Sequence, residues 1–535
     1  MIRPENDNNN QFVGSDFYSV HSQDNQEQDN FENGAIRRSY VGQEQNNISN
    51  NNNNQGSFKN NLLIIEIDQS PPLYWMFFLM FGIVQIIMII LIGNYYVWDD
   101  LNKPSNKGEG TLQNLKNLIS KNYKSLQDIN IMIYLGFGFL RILQKHYSWT
   151  SLSLIFIGGV LSFEFGLFAL ICWSAIIRKS WYNGIINFQH FIDATYCAAT
   201  TVISLGAILG KLSFAQYFVT IFFETVFSSF NYILLRQCLE IIDVGGCLSV
   251  HLFGAIFGGI FSLVSFSLET ERKRINQSAH FGTKYYSNVL GLFGTLIVLS
   301  YWPSFNTCLI NDANQKYRGI INTYLSIGGS IISTIAMDLV YYKKNLKIED
   351  VLNSTYAGGI VVSGCCNIIK EFWACIIFGL FAGGITSFLY FILYERLKNK
   401  GYHDTYGIFY YHGIPAFIGG IISTIFVGNL TNWEIKENLN YYIGKILDYS
   451  NYSFTDNYSQ RAGIQFACIF ITIFIAAASG LMAGFSIKFC NCDIALTYFN
   501  DHEFFEVEEK ESFPWKDEEI QLKLCYNSKK GRIHN

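Results

Sequence analysis

His251 and His412 are the residues whose type and setting point most directly to chemistry, because each lies inside strongly apolar sequence. An ionisable side chain in such a segment is costly to bury and is a functional candidate by default. The two share a surrounding pattern. Asp243–Gly259 reads DVGGCLSVHLFGAIFGG, and Asp404–Gly420 reads DTYGIFYYHGIPAFIGG. In each block Gly follows the Asp at the third position, His at the eighth, and Gly-Gly at the fifteenth and sixteenth. Matched polar sites in a duplicated block suggest a pore or carrier built from internal repeats, with its site near the membrane midplane.

The elements that carry these histidines read as membrane helices. The chain has 535 residues, of which 50% are hydrophobic, 16% aromatic and only 15% charged. A soluble protein of this length carries more charge and splits into several domains. Apolar runs near 20 residues long enough to cross a bilayer occur at Leu73–Val97 and at about 129–144, 150–175, 189–210, 213–237, 247–268, 287–309, 319–342, 352–369, 371–394, 405–427 and 463–489. The expected class is an all-α polytopic membrane protein with about twelve spans across residues 66–495. Residues 1–65, rich in Asn and Gln, read as a disordered tail, and residues 496–535 as an acidic tail.

An even number of spans puts both tails on one side. The loop 428–462 then faces the other, with sequons at Asn429, Asn451 and Asn457 as glycosylation candidates. Short loops on the tail side carry Arg272-Lys273-Arg274, Lys343-Lys344 and Arg396, as the positive-inside rule expects of a cytoplasmic face. Under this topology the Asp243 helix enters from outside and the Asp404 helix from inside. Two inverted five-span repeats around a central pore would run the motif in opposite directions. Each His lies eight residues past its Asp, about 12 Å deeper along a helix, so the two meet inside a core ~30 Å thick. Each Asp, taken alone, is a helix N-cap.

Longer stretches carry a family likeness: LQDINIMIYLGFGFL (126–140), LGAILGK (205–211), the Asp243 block, YWPSFN (301–306), INTY (321–324), AGGIVV (357–362) and HGIP (412–415). In this order they resemble an Rh-type member of the ammonium transporter superfamily, over about residues 70–490. The resemblance implies a homotrimer in the lipid bilayer with a narrow hydrophobic pore per subunit. It implies that His251 and His412 are twin pore histidines, and that ammonium is recruited and deprotonated at the mouth while ammonia passes. Two aromatics stack across the outer mouth in this family. Phe305 matches one, with Trp302 and Asn306 in the same motif; at the other position this chain has Tyr196 in place of the usual Phe. Glu224 matches an acidic vestibule residue, and Leu309 stands where bacterial members place an ammonium-binding Ser. Rh-like weak recruitment and net electroneutral transport are then expected.

The same features leave two other readings open: a channel for carbon dioxide or another neutral gas, and a non-conducting membrane scaffold or sensor. An enzyme is not expected, since no nucleotide motif or nucleophile–base pair stands outside the pore. The net charge of −4 gives no sign of a nucleic-acid partner, and with no metal-ligand cluster in the sequence no cofactor or metal is expected. The tails are candidate binding segments for cytosolic partners. The expected location is the plasma membrane, with an intracellular vacuolar membrane as the alternative. Glu164 in LSFEFG has no assignable role from sequence.

Overall fold

The computed structural model describes residues 71–98, 122–144, 147–179, 184–186, 188–277, 283–310, 312–343, 346–430 and 458–489, with Ser120, Asp501 and Phe505. The assigned 1–65 tail, the remainder of the 496–535 tail, and the sequons at Asn451 and Asn457 lie outside these residues. In lipid every backbone polar group must be satisfied internally, so long apolar runs become helices. They are α1 (Pro71–Tyr95), α2 (Gly138–Leu140, continuing a π-helical segment Ile131–Phe137), α3 (Ser148–Arg178), α4 (Phe188–Leu205) and α5 (Phe214–Ile233). Next come α6 (Phe253–Ser265, preceded by a π-helical segment Cys247–Leu252), α7 (Leu268–Gln277), α8 (Tyr285–Thr307), α9 (Ala313–Tyr342) and α10 (Ile348–Val361). The last are α11 (Phe372–Lys398), α12 (Ile414–Gly428, preceded by a π-helical segment Phe409–Gly413) and α13 (Tyr458–Phe489).

Among the described residues, eight helices are long and apolar enough to span a membrane. Of the other apolar runs, Leu73–Val97 folds as the 25-residue α1, and the rest as shorter pieces. α10 is 14 residues long, and α4 is 18 residues with Thr195, Thr200, Thr201 and Ser204 buried along it. Each ends in a series of turns, 206–210 and 362–368. Large apolar side chains left exposed, such as Phe381 and Phe388 on α11 and Phe470 and Phe474 on α13, suit a lipid-facing surface.

The described fold is helical as expected, with one short extended addition. Tyr96–Trp98 and Gly184–Ile186 form a short parallel pair, with Tyr96 opposite Gly184 and Trp98 opposite Ile186. The cause is the packing of α1 on α3, where Gln85 Nε2 donates to Glu164 Oε2 at 2.7 Å. The extended residues leaving the two helices then satisfy each other's backbone groups. Glu164, unassigned from sequence, thereby gains a partner on α1.

The packing scheme repeats. α3 packs on α4 and α5, and α4 on α5; likewise α9 packs on α10 and α11, and α10 on α11. α6 packs on α4 as α12 does on α10, and the two π-helical His segments touch each other. The segments run past one another in opposite senses: Cys247 Sγ donates to the Ala416 carbonyl at 3.3 Å, whereas Ala255 lies against Gly413. α13 stands outside this scheme, against α5, α6 and α12. The chain's far end also returns to the fold. Asp501 accepts from the Ser148 and Thr150 backbone N–H at 2.9 and 2.8 Å and from the Thr150 hydroxyl at 2.8 Å, capping the start of α3.

The repeated glycines have two jobs. Gly246 and Gly407 sit at φ +70 and +66, a left-handed conformation that side chains resist. The first Gly of each pair is a close-approach site: a Cβ would lie 2.7 Å from the Ser204 carbonyl at Gly258 and 2.7 Å from the Val361 carbonyl at Gly419. Gly259 has nothing within 4 Å. Gly258→Ala should therefore destabilise the purified protein by about 1–3 kcal/mol through overpacking, while Gly259→Ala should leave its thermal midpoint within a degree or two. Comparison of the two midpoints by intrinsic fluorescence checks this.

Candidate functional site

Each His segment begins with an Asp that holds its first turn. Asp243 accepts from the Leu248 N–H at 3.2 Å and from the Ser249 N–H and hydroxyl at 2.9 and 2.7 Å. Asp404 accepts from the Phe409 N–H at 2.7 Å, the fifth residue on, as Leu248 is for Asp243. A carboxylate at a helix start satisfies donors that have no intrahelical partner and opposes the positive end of the dipole. The loops ahead of the helices are tied to the opposite half of the molecule. Gly245 N–H donates to the Ser363 carbonyl at 2.7 Å, and Tyr406 N–H to the Gly206 carbonyl at 3.2 Å. Lys211, the last residue of LGAILGK, donates to the His403 carbonyl and, at 2.7 Å, to the Ser262 hydroxyl. Burial pulls the pKa of Lys211 below that of an ordinary lysine, against the opposing charge of Glu271 3.9 Å away.

These constraints bring the two histidines together. Both are fully buried, with their Nδ1 atoms 3.4 Å apart and ring centroids 5.6 Å apart at 27°. Aromatic rings wall them in. His251 lies along Trp302 at 5.7 Å, and His412 contacts Tyr356 at 4.7 Å and Phe137 at 5.9 Å. Four polar atoms within this aromatic cage have no hydrogen-bond partner among the described residues: Nε2 of each His, Nε1 of Trp302 and the Tyr356 hydroxyl. Buried polar atoms of a native fold are almost always paired. A cluster of four unpaired ones marks a place where something other than protein is accommodated.

Above His251, Tyr196 and Phe305 stack at 4.8 Å and 11°. The Tyr196 hydroxyl does not project into the path. It lies 2.8 Å from the Phe305 carbonyl, 3.1 Å from the Val244 carbonyl and 3.1 Å from Cys308 Sγ. The Phe305 carbonyl is free to accept because α8 ends at Thr307, so its last carbonyls lack helical donors. Asn306 donates to the Gly359 carbonyl at 2.9 Å and to Thr323 Oγ1 at 3.2 Å, tying α8 to α9 and α10. Trp302 packs among the rings of His251, Phe137 and Tyr356.

A profile of the Ammonium Transporter Family matches residues 107–496. The chain belongs to the ammonium transporter family. Among its relatives are the Danio rerio Ammonium transporter Rh type C-like 2, 31% identical over 447 residues (80% of this chain and 87% of the relative). The Oryctolagus cuniculus Ammonium transporter Rh type C is 30% identical over 365 residues, 66% of this chain and 75% of the relative. Among solved structures, Nitrosomonas europaea Rh50 superposes with a TM-score of 0.60 at 22% identity, covering 77% of this chain and 99% of that one. A sensor Amt protein gives 0.54 at 15% identity, over 70% and 95%. The chain is thus an Rh-type, multi-pass membrane member of the ammonium transporter family, whose relatives are transporters and not enzymes.

Within this ammonium transporter family member, one sequence expectation needs correcting. Glu224 is not at the outer vestibule. It is fully buried on α5, twelve residues before Arg236, about 18 Å deeper along the helix at 1.5 Å per residue. Its neighbours are Cys197 and Ser204 on α4. The Arg236 end of α5 instead presents Tyr232, 6.2 Å from the Tyr196 ring. Asp193 Oδ1 accepts from the Tyr232 hydroxyl at 2.6 Å and from Gln189 Nε2 at 3.0 Å. Arg236 donates to Tyr232 at 2.5 Å and to the Asp243 carbonyl at 2.9 Å, with its guanidinium 4.6 Å from the Tyr232 ring centroid. Asp193, Arg236 and Arg141 carried a signal that the motif search passed over, being charged groups within apolar runs. Phe137 and Tyr356 carried none in a chain with 46 Phe and 33 Tyr. Asn429 is exposed at the end of α12, with its side-chain nitrogen donating to the Ile425 carbonyl at 3.0 Å.

Tyr196→Phe keeps the stack but leaves the Phe305 and Val244 carbonyls without the hydroxyl. The expected result is a loss of about 1–3 kcal/mol in stability, read as a lower thermal midpoint, with the transport rate nearly unchanged.

Proposed function

We propose that this protein is an ammonia channel that recruits ammonium at its outer mouth, strips one proton there and conducts neutral ammonia past His251 and His412, so that net transport is electroneutral. The observation that carries this reading is the histidine pair itself, fully buried and in Nδ1-to-Nδ1 contact inside an aromatic cage. A hydrogen bond between two Nδ1 atoms needs one ring to donate and the other to accept. The neutral pair therefore has one Nδ1–H tautomer and one Nε2–H tautomer. The free Nε2 positions then offer one acceptor and one donor. Ammonia has both N–H groups and a lone pair and is served on both sides. Ammonium has four donors and no lone pair, and removing such an ion from water costs on the order of several kcal/mol.

Family membership supports ammonium as the species presented to the pore, and the relatives named above are ammonium transporters by name. Asp193 takes the recruiting role once assigned to Glu224. It lies one turn before Tyr196 on α4, with one oxygen held by Tyr232 and Gln189. The stacked Tyr196–Phe305 pair is the gate below it. In this reading α1, the Ile131–Leu140 segment, α4 and α10 also count as crossings, giving twelve. The two packing units are inverted repeats, both tails lie in the cytoplasm, and three subunits assemble in the plasma membrane.

Reconstitution tests the proposal. Liposomes containing the purified protein should show internal alkalinisation several-fold faster than empty liposomes after an inward ammonium gradient. A rate equal to that of empty liposomes, when a known channel in the same lipid is active, ends the transport reading. Carbon dioxide flux in the same vesicles separates the neutral-gas alternative. The double variant His251→Ala, His412→Ala should lose discrimination between ammonia and the ammonium ion; unchanged discrimination removes the pair from the mechanism. Asp193→Asn should raise the ammonium concentration at half-maximal rate several-fold while leaving the limiting rate nearly constant.

A further inference from the structure

Arg141 follows α2 and is completely buried, with 0% exposure. Its Nε, Nη1 and Nη2 atoms all lack a hydrogen-bond partner among the described residues. A guanidinium carries five donors and cannot be neutralised, so burial without acceptors is among the most costly arrangements a fold can hold. Its Cζ lies over the rings of Phe137 and Tyr406, 6.0 and 5.2 Å from their centroids; these cation–π contacts partly offset the burial but supply no hydrogen-bond acceptor to the fork.

The position adjoins the histidine cage. Phe137 contacts His412 at 5.9 Å and stacks on Tyr356 at 5.6 Å. A Cβ on Gly206 would lie 3.0 Å from Arg141 Cζ and against Ile408. Ile408 is one helical turn before His412, toward the Asp404 end. The charge therefore sits beyond His412, on the side opposite the Tyr196–Phe305 stack. Asp404 is the nearest acidic candidate for a countercharge, but its Oδ2 is held by the Phe409 N–H and its Oδ1 makes no bond to Arg141. Arg236, at the other end, differs in this respect. It is bonded to Tyr232 and to the Asp243 carbonyl, beside the Asp193 carboxylate.

We infer that Arg141 is a specificity-determining residue: a fixed positive charge in the inner half of the pathway that repels the ammonium ion and lets neutral ammonia pass. The inference rests on the channel reading above and adds a second, electrostatic filter to the histidines. A like charge in a low-dielectric passage acts over several ångströms with little screening, whereas ammonia has no net charge to repel.

Four proteins test it in planar bilayers and in proteoliposomes: the native chain, Arg141→Lys, Arg141→Gln and Arg141→Met. Alkalinisation reports neutral ammonia flux, and ammonium-evoked current reports ion flux. The native chain and Arg141→Lys should give alkalinisation without measurable current. Arg141→Gln and Arg141→Met should keep alkalinisation and gain an ammonium current at least about tenfold above the native background. Neutral variants that alkalinise normally and stay silent overturn the inference. So does loss of alkalinisation in both neutral variants with retention in Arg141→Lys, because the charge is then required for conduction itself. A native chain that fails to alkalinise vesicles defeats the channel reading instead, a separate outcome.

Discussion

Two backbone hydrogen bonds hold the site in register: Gly245 N–H to the Ser363 carbonyl and Tyr406 N–H to the Gly206 carbonyl. Each links the loop ahead of one histidine segment to the turn that follows the short helix of the other half. Because the bonds are made by main chain, they do not depend on side-chain rotamers. Each loop then feeds an Asp cap and a glycine in left-handed conformation, which start the π-helical segment at a fixed place. The separation of the two imidazoles is the sum of these steps from both ends. A shift at either loop moves one ring against the other, and the 3.4 Å contact has little slack.

The surroundings of that contact are organised by what they leave undone. Many small polar side chains of the short helices pair with the backbone, as where Thr200 donates to the Tyr196 carbonyl at 2.9 Å. Along the histidine cage and just beyond it, unpaired atoms remain on the histidines, Trp302, Tyr356 and Arg141. A hydrophobic tunnel lined by rings alone would offer a small polar solute nothing, and one lined by paired polar groups would offer it no vacant lone pair or N–H. Isolated orphan groups on an apolar wall give brief, weak stations for a neutral molecule. An ion demands a full shell of partners at once.

Much of this arrangement was legible in the residues. The repeated spacing around His251 and His412 predicted two equivalent segments that meet, and the Asp positions predicted their caps, whereas the close approach at Gly258 and Gly419 came only from the packing. Family stretches located Phe305 and Tyr196 as stacking partners, and the structure stacks them. Depth within a span was not legible. Glu224 and Asp193 are both acidic residues in apolar sequence, and only the packing of α5 on α4 separates the buried one from the one near the stack. The fate of the Tyr196 hydroxyl was equally hidden, because its acceptors are carbonyls made available by the end of α8. Main-chain acceptors leave no trace in side-chain pattern. The short parallel pair after α1 and α3 was invisible for the same reason.

The Asp501 cap on α3 has a consequence for synthesis. The N–H groups of Ser148 and Thr150 enter the membrane interface early, yet their carboxylate partner lies more than 350 positions further along the chain. During biogenesis that end of α3 must wait, solvated by water and headgroups, until Asp501 has left the ribosome. Completion of the last transmembrane helix is then not the final folding event. The start of α3 is completed only when Asp501, beyond that helix, comes back to it, so the N-terminal half of the fold depends on a segment made after α13.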